Sequence, residues 1–315
     1  MPLLKEVQTL LDMVYRVGAP AFHQMSVEQA RHSFRKLQFA FNPDRPPVAS
    51  VLDIPVPRKD GSAMLTRLYR PLQRNPGEVL PLLIFFHGGG WCIGDIESYD
   101  TFCRDLTNRS NCAVLSVEYR LAPEHPFPAA TDDAMLACEW AMDNEQLLGI
   151  DSERIGLAGD SAGGNLAIVT AIAARDKGAR VPVCLLLIYP CTLIRSESDS
   201  RRRFEHGFML DTESLEWFFE RYLRGHDEED WRASPMRAQS LRDLPSMCLV
   251  TAEYDPLLDD CEAFSERVRA QGGKVERIQV PGVVHGFITL GKLIPVAEEV
   301  VNHAARWAGA QLAQD

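Results

Sequence analysis

Gly156-Leu157-Ala158-Gly159-Asp160-Ser161-Ala162-Gly163-Gly164-Asn165 joins two segments of opposite character. Before it, Arg154-Ile155-Gly156-Leu157-Ala158 reads as an apolar strand. After it, Leu166-Ala167-Ile168-Val169-Thr170-Ala171 reads as a helix of small and aliphatic residues. The junction has the pattern G-x-S-x-G. A serine on so tight a strand-to-helix turn sits in a strained backbone conformation. Only small residues two places before and after it, here Gly159 and Gly163, avoid a clash. The helix start lies beneath the serine, where its free N–H groups can face an anion. The stretch therefore predicts a strand, an elbow carrying Ser161, and a helix.

The same alternation continues in both directions. Residues 51–57 and 63–69 flank a Lys59-Asp60-Gly61 turn and predict a hairpin. Strand-like runs follow at 82–86, 113–117, 155–158, 183–188, 247–251 and 275–280, with helical segments around 127–146, 161–177, 257–271 and 293–312. Strands alternating with helices imply a mainly parallel sheet of about eight strands covered on both faces, with ligands at the carboxyl ends of the strands. Upstream, the apolar spacing of Leu3, Leu4, Val7, Leu10, Leu11 and Val14 predicts one helix. Ser26-Val27-Glu28-Gln29 fits a capping box opening a second, to about residue 40. Residues 192–235 break the rhythm with Arg201-Arg202-Arg203-Phe204 and Glu216-Trp217-Phe218-Phe219-Glu220-Arg221-Tyr222, the look of a lid with a helical aromatic stripe.

With 315 residues, 46% hydrophobic and 24% charged, the chain is globular. A formal net charge of −11 argues against nucleic acid or anionic membrane surfaces as partners, both of which require a basic face. No apolar run reaches membrane-spanning length, and the opening Met1-Pro2-Leu3-Leu4-Lys5-Glu6 lacks a signal-peptide layout. Eight cysteines without a C-x-x-C pair, several inside apolar runs, read as reduced buried thiols. The expected location is cytoplasmic.

A serine hydroxyl is a weak nucleophile and needs a base, which in turn needs an orienting acid. In this fold the chain order is Ser, acid, His. His285, in the loop after the 275–280 strand, is the expected base, whereas His303 falls within a helix. Asp255, after the 247–251 strand, is the expected acid, with Glu253 as runner-up; Asp259 and Asp260 fit the start of the next helix. His87-Gly88-Gly89-Gly90-Trp91 follows the 82–86 strand. Its glycines bring backbone N–H donors close to a bound group, as a tetrahedral oxyanion needs. Gly88, Gly89 and Ala162 are the expected oxyanion donors, with His87 a structural support. Asp160 is expected to brace the elbow without acting on substrate. Trp91 and the aromatics Phe204, Phe208, Trp217 and Phe218 are the pool from which a substrate pocket would be built, with Trp91, Phe208 and Trp217 the expected substrate contacts.

These motifs, together with Asp255-Pro256-Leu257, His285-Gly286-Phe287 and the long run Tyr119 to Ala130, resemble the hormone-sensitive-lipase-like, or bacterial family IV, carboxylesterases of the α/β-hydrolase superfamily. The resemblance spans about residue 50 to the end. It implies an α/β-hydrolase fold with a helical cap: residues 1–48 an N-terminal part of the cap, 49–191 the first part of the core, 192–235 a cap insertion and 236–315 the rest of the core. It also implies hydrolysis of short-to-medium acyl esters by a Ser161–His285–Asp255 triad, with no metal or organic cofactor and a small-molecule ester as partner. An amide-hydrolysing relative and a non-catalytic binding protein are the alternatives. An edge strand near 275–280 leaves monomer and homodimer both open.

Overall fold

The computed structural model describes residues 2–73, 75 and 77–313. Its apolar runs become one eight-stranded sheet: β1 (Ser50–Pro57), β2 (Ala63–Arg70), β3 (Leu80–Phe86), β4 (Ala113–Val117), β5 (Ile150–Asp160), β6 (Cys184–Ile188), β7 (Ser246–Tyr254) and β8 (Val275–Val284). The order is β1-β2-β4-β3-β5-β6-β7-β8. β3 to β8 are parallel. β2 runs antiparallel both to β1, as the hairpin requires, and to β4. β3, β4 and β6 are buried at every position, which is why they read as unbroken apolar runs rather than alternating ones.

The described helices are α1 (Lys5–Arg16), α2 (Val27–Phe41), α3 (Asp100–Ser110), α4 (Ala129–Asp143), α5 (Glu145–Leu148), α6 (Ala162–Asp176), α7 (Asp199–Arg203), α8 (Thr212–Leu223), α9 (Leu258–Ala270) and α10 (Val296–Leu312). They divide the core in two. Leu82, Ile84 and Phe86 of β3 join one apolar cluster with α4, α6, α8 and α9. Leu83 and Phe85 join a second with α1, α3 and α10. Successive strand residues thus feed opposite faces, as the period of two dictates. α6 buries residues Ala162 through Ala173 on all sides, so it shows little amphipathic contrast.

α3 is the crossover helix that apolar spacing does not announce. Of its residues only Phe102, Cys103 and Leu106 are apolar, and it also buries Asp100, Thr101, Thr107 and Ser110. Close packing against α10 compensates: a Cβ on Gly309 would stand 2.3 Å from the Ser110 carbonyl oxygen. β8 lies at the sheet edge, and the Leu4 N–H donates to the Gly282 carbonyl at 2.9 Å, tying the segment before α1 to the upper part of that edge. No described helix is long and apolar enough to cross a membrane.

Candidate active site

β5 delivers Ser161 at φ 54°, ψ −117°, and α6 begins at the next residue. The two flanking glycines are dictated by contact. A Cβ on Gly159 would lie 2.4 Å from the Gly163 backbone, and one on Gly163 would lie 1.9 Å from the Phe86 carbonyl oxygen. The strained serine is held because β3, β5 and α6 touch backbone to backbone around it.

Asp255 and His285 each follow directly on a strand, β7 and β8. His285 Nε2 lies 3.0 Å from Ser161 Oγ, and His285 Nδ1 lies 2.7 Å from Asp255 Oδ2. The second oxygen, Asp255 Oδ1, accepts the Leu257 N–H at 2.8 Å. Asp255 is buried, and each of its two oxygens has a partner within the protein. Glu253 is engaged elsewhere, accepting the Gly282 N–H at 2.7 Å. His303 sits on α10 against Glu276. A serine, imidazole and carboxylate joined in this order form a proton path from hydroxyl to ring, with the ring tautomer fixed by the acid.

The family model for the alpha/beta hydrolase fold matches residues 83–289. Ethyl acetate hydrolase of Pseudomonas putida is 34% identical over 282 residues, 88% of each chain. The chain belongs to the hormone-sensitive-lipase-like carboxylesterases of the α/β-hydrolase superfamily. Carboxylic ester hydrolase LipN of Mycobacterium tuberculosis is 39% identical over 250 residues, a stretch covering 77% of this chain and 65% of LipN. A crystal structure of an alpha/beta hydrolase enzyme from the metagenome of Lake Arreo, Spain, superposes with a TM-score of 0.94 at 38% identity, covering 99% of both chains.

Within this carboxylesterase fold, the glycine loop after β3 departs from the expected assignment at one residue. The Gly88 N–H is already spent, donating to Asp160 Oδ1 at 2.7 Å, so it is not an oxyanion donor. Gly89 and Gly90 line the cavity over Ser161, and among the described residues no acceptor takes either N–H. Ala162 heads α6, where a first-turn N–H has no partner within the helix. The motif alone does not say which peptide of the three a buried carboxylate will claim.

That carboxylate is Asp160. It also accepts from Tyr99 Oη at 2.9 Å and so joins the elbow to the glycine loop. Burial pushes its carboxyl up to about 6, against the lowering effect of the Tyr99 and Gly88 donors. His87 is structural. Its Nδ1 donates to the Gly88 carbonyl at 2.7 Å, its ring stacks on Tyr119 at 4.3 Å, and burial pushes its pKa down to about 4, so it is neutral at pH 7. The run Tyr119 to Ala130 locks the same loop: Tyr119 Oη donates to the His87 carbonyl at 2.7 Å, and the Ala122 N–H to the Trp91 carbonyl at 2.8 Å.

A cavity of about 90 Å³ opens over Ser161. Its walls come from Trp91 and Ile93 of the glycine loop, from Phe34, Leu37 and Gln38 of α2, and from Leu215, Phe218 and Phe219 of α8. Trp91 is packed flat on Tyr222 at 4.1 Å. Phe208 and Trp217 do not line the cavity. Phe208 packs outside on Phe204 and Tyr254, and Trp217 faces away, with Arg221 over its ring. On α8 the residue one step round, Phe218, takes the inward position, and its ring sits where a Cβ on Gly90 would fall, at 2.4 Å. A helical stripe gives the spacing of the buried face but not its rotation about the axis. α2 is fastened to the loop by Arg31, which donates to the Cys92 carbonyl at 2.8 Å and the Ala122 carbonyl at 3.1 Å.

Proposed function

We propose that the protein is a serine carboxylesterase acting on short-to-medium acyl esters. The observation that carries this reading is the unbroken Ser161–His285–Asp255 hydrogen-bond chain at the floor of an apolar cavity. Ser161 Oγ attacks the ester carbonyl carbon while His285 Nε2 takes the hydroxyl proton. Asp255 holds the ring and balances the imidazolium charge. The carbonyl oxygen, now an oxyanion, is met by the N–H groups of Gly89, Gly90 and Ala162, pre-aimed by the loop and the helix start. Collapse breaks the bond to the alcohol oxygen, which leaves with the proton from His285. A water then loses a proton to His285, attacks the acyl-enzyme, and the carboxylic acid departs as Ser161 regains its hydrogen.

Chain length follows from space. A cavity of about 90 Å³, at roughly 10–15 Å³ per water-sized group, takes about six to nine such groups. Residues 1–48 and 192–235 form the cap in this reading, and 49–191 with 236–315 the core. What supports the division is that α2 and α8 supply the roof while every reacting group sits beyond a strand of the sheet.

The test is hydrolysis of p-nitrophenyl esters from acetyl to palmitoyl by the wild type and by Ser161→Ala. Activity should peak at short or medium chains and fall by about 10⁴- to 10⁶-fold in the variant. Near-normal turnover in folded Ser161→Ala would remove Ser161 from the mechanism.

A further inference from the structure

Gln38 is the odd member of the cavity wall. It lies on α2, is 3% exposed, and is flanked by Phe34, Leu37 and Leu290. Its amide has a fixed orientation. Asn42, at the end of α2, donates Nδ2 to the Ser98 carbonyl at 3.2 Å and faces Gln38 Oε1 at 3.3 Å. A backbone carbonyl only accepts, so the Asn42 atom shared between these two groups is its amide nitrogen. The Gln38 atom opposite it is then oxygen. The Gln38 Nε2 amide is left facing away from Asn42, and the one side-chain hydrogen bond of Gln38 among the described residues runs through its oxygen.

The other polar groups on this wall are spent. The Tyr99 hydroxyl donates to Asp160 Oδ2, and the Gly88 N–H takes Asp160 Oδ1. The Thr289 hydroxyl turns back to the Gly286 carbonyl at 3.4 Å, and Ser161 and His285 bond each other. The indole Nε1 of Trp91 is buried, out of reach of solvent, and without a partner among the described residues. Apart from the Gly89 and Gly90 N–H groups at the oxyanion site, the Gln38 amide is therefore the donor left on this wall.

We infer that Gln38 is a specificity residue that reads a neutral hydrogen-bond acceptor, an ether or second carbonyl oxygen, in the arm of the ester lying along α2. The inference rests on the ester-hydrolase reading above. An arm carrying such an oxygen repays the water the amide gives up on binding. An all-carbon arm leaves the amide unpaired, and sites built this way discriminate against substrates lacking the group.

The experiment compares ester pairs in which one ether oxygen replaces one methylene. In one series the replacement is in the acyl chain, methoxyalkanoates against alkanoates as p-nitrophenyl esters. In the other it is in the alcohol, 2-methoxyethyl acetate against butyl acetate. The readout is the ratio of kcat/KM within each pair, for wild type, Gln38→Met and Gln38→Glu. In the series whose arm lies along α2, Gln38→Met should lower the ratio about three- to tenfold. Gln38→Glu keeps an oxygen toward Asn42 but offers the substrate a carboxylate, so its ratio should fall at least as far. It also serves where the methionine variant does not fold. Ratios equal in wild type and both variants across both series would overturn the inference while leaving ester hydrolysis standing. Failure of the wild type on every ester would overturn the ester-hydrolase reading itself, and this inference with it.

Discussion

Asp160 holds the glycine loop in place at a cost in charge burial. The folded protein binds its proton more tightly than the unfolded chain does, with the carboxyl raised from 3.8 to about 6. The stability this residue contributes is therefore present below about pH 4 and is lost as pH rises through about 6. Asp160→Asn keeps an oxygen for Gly88 and removes the titration. Between pH 4 and 7 the wild type should lose on the order of 3 kcal/mol relative to that variant, from about 1.4 kcal/mol per pKa unit. Urea unfolding curves of the two proteins at four pH values test this, and parallel stability profiles would refute it. At this scale the sequence was most legible where chemistry forces chain order. Ser161, Asp255 and His285 were placed by motif and by position after strands, and the structure brings the three into hydrogen-bond contact. It was least legible where one peptide in a run of glycines is claimed by a distant carboxylate, as Gly88 is by Asp160.

Among the elements, α7 is tied to the core by a buried ion pair. Arg201 of α7 and Asp260 of α9 are each 6% exposed, and the Arg201 Nη2 also donates to the Leu193 carbonyl at 2.7 Å. Asp260 and its neighbour Asp259 read from sequence as ordinary first-turn acids of α9. Both do stand in the first turn of α9, and Asp259 in addition accepts the Ser200 N–H at 2.6 Å, so both acids hold the insertion down. Removing one partner leaves the other charged and dry. Arg201→Ala should lower unfolding stability by about 3–5 kcal/mol, read by chemical denaturation, and a loss below about 1 kcal/mol would show that this anchor is dispensable. All eight strands were legible because their apolar runs are short and bounded by glycine, proline and charge. The position of β4 between β2 and β3 was not, since strand order depends on crossover packing rather than on any one segment. α3 was hidden for the related reason that its stability comes from its fit to α10.

The whole molecule carries a formal net charge of −11, and that field acts on substrates before any contact does. Esters bearing a carboxylate should be handled less well than neutral ones of equal size. The gap should narrow as salt rises from about 10 mM to about 150 mM, where the screening length shrinks from roughly 30 Å to 8 Å. Measuring kcat/KM for a neutral and an anionic ester across that range decides it, and a salt-independent ratio would show that local contacts outweigh the field. The composition disclosed this property at once, whereas the pocket had to wait for the roof, because its shape is set by α2 and α8 meeting from distant parts of the chain. The cysteines carry a last consequence. All eight are buried, and burial raises the thiols of Cys92, Cys138, Cys191 and Cys248 to about 12. Thiol reagents therefore find no native target on the folded surface. A single cysteine introduced at the exposed Phe39 on α2 would take up a fluorophore alone, giving the roof of the pocket its own beacon with no background to subtract.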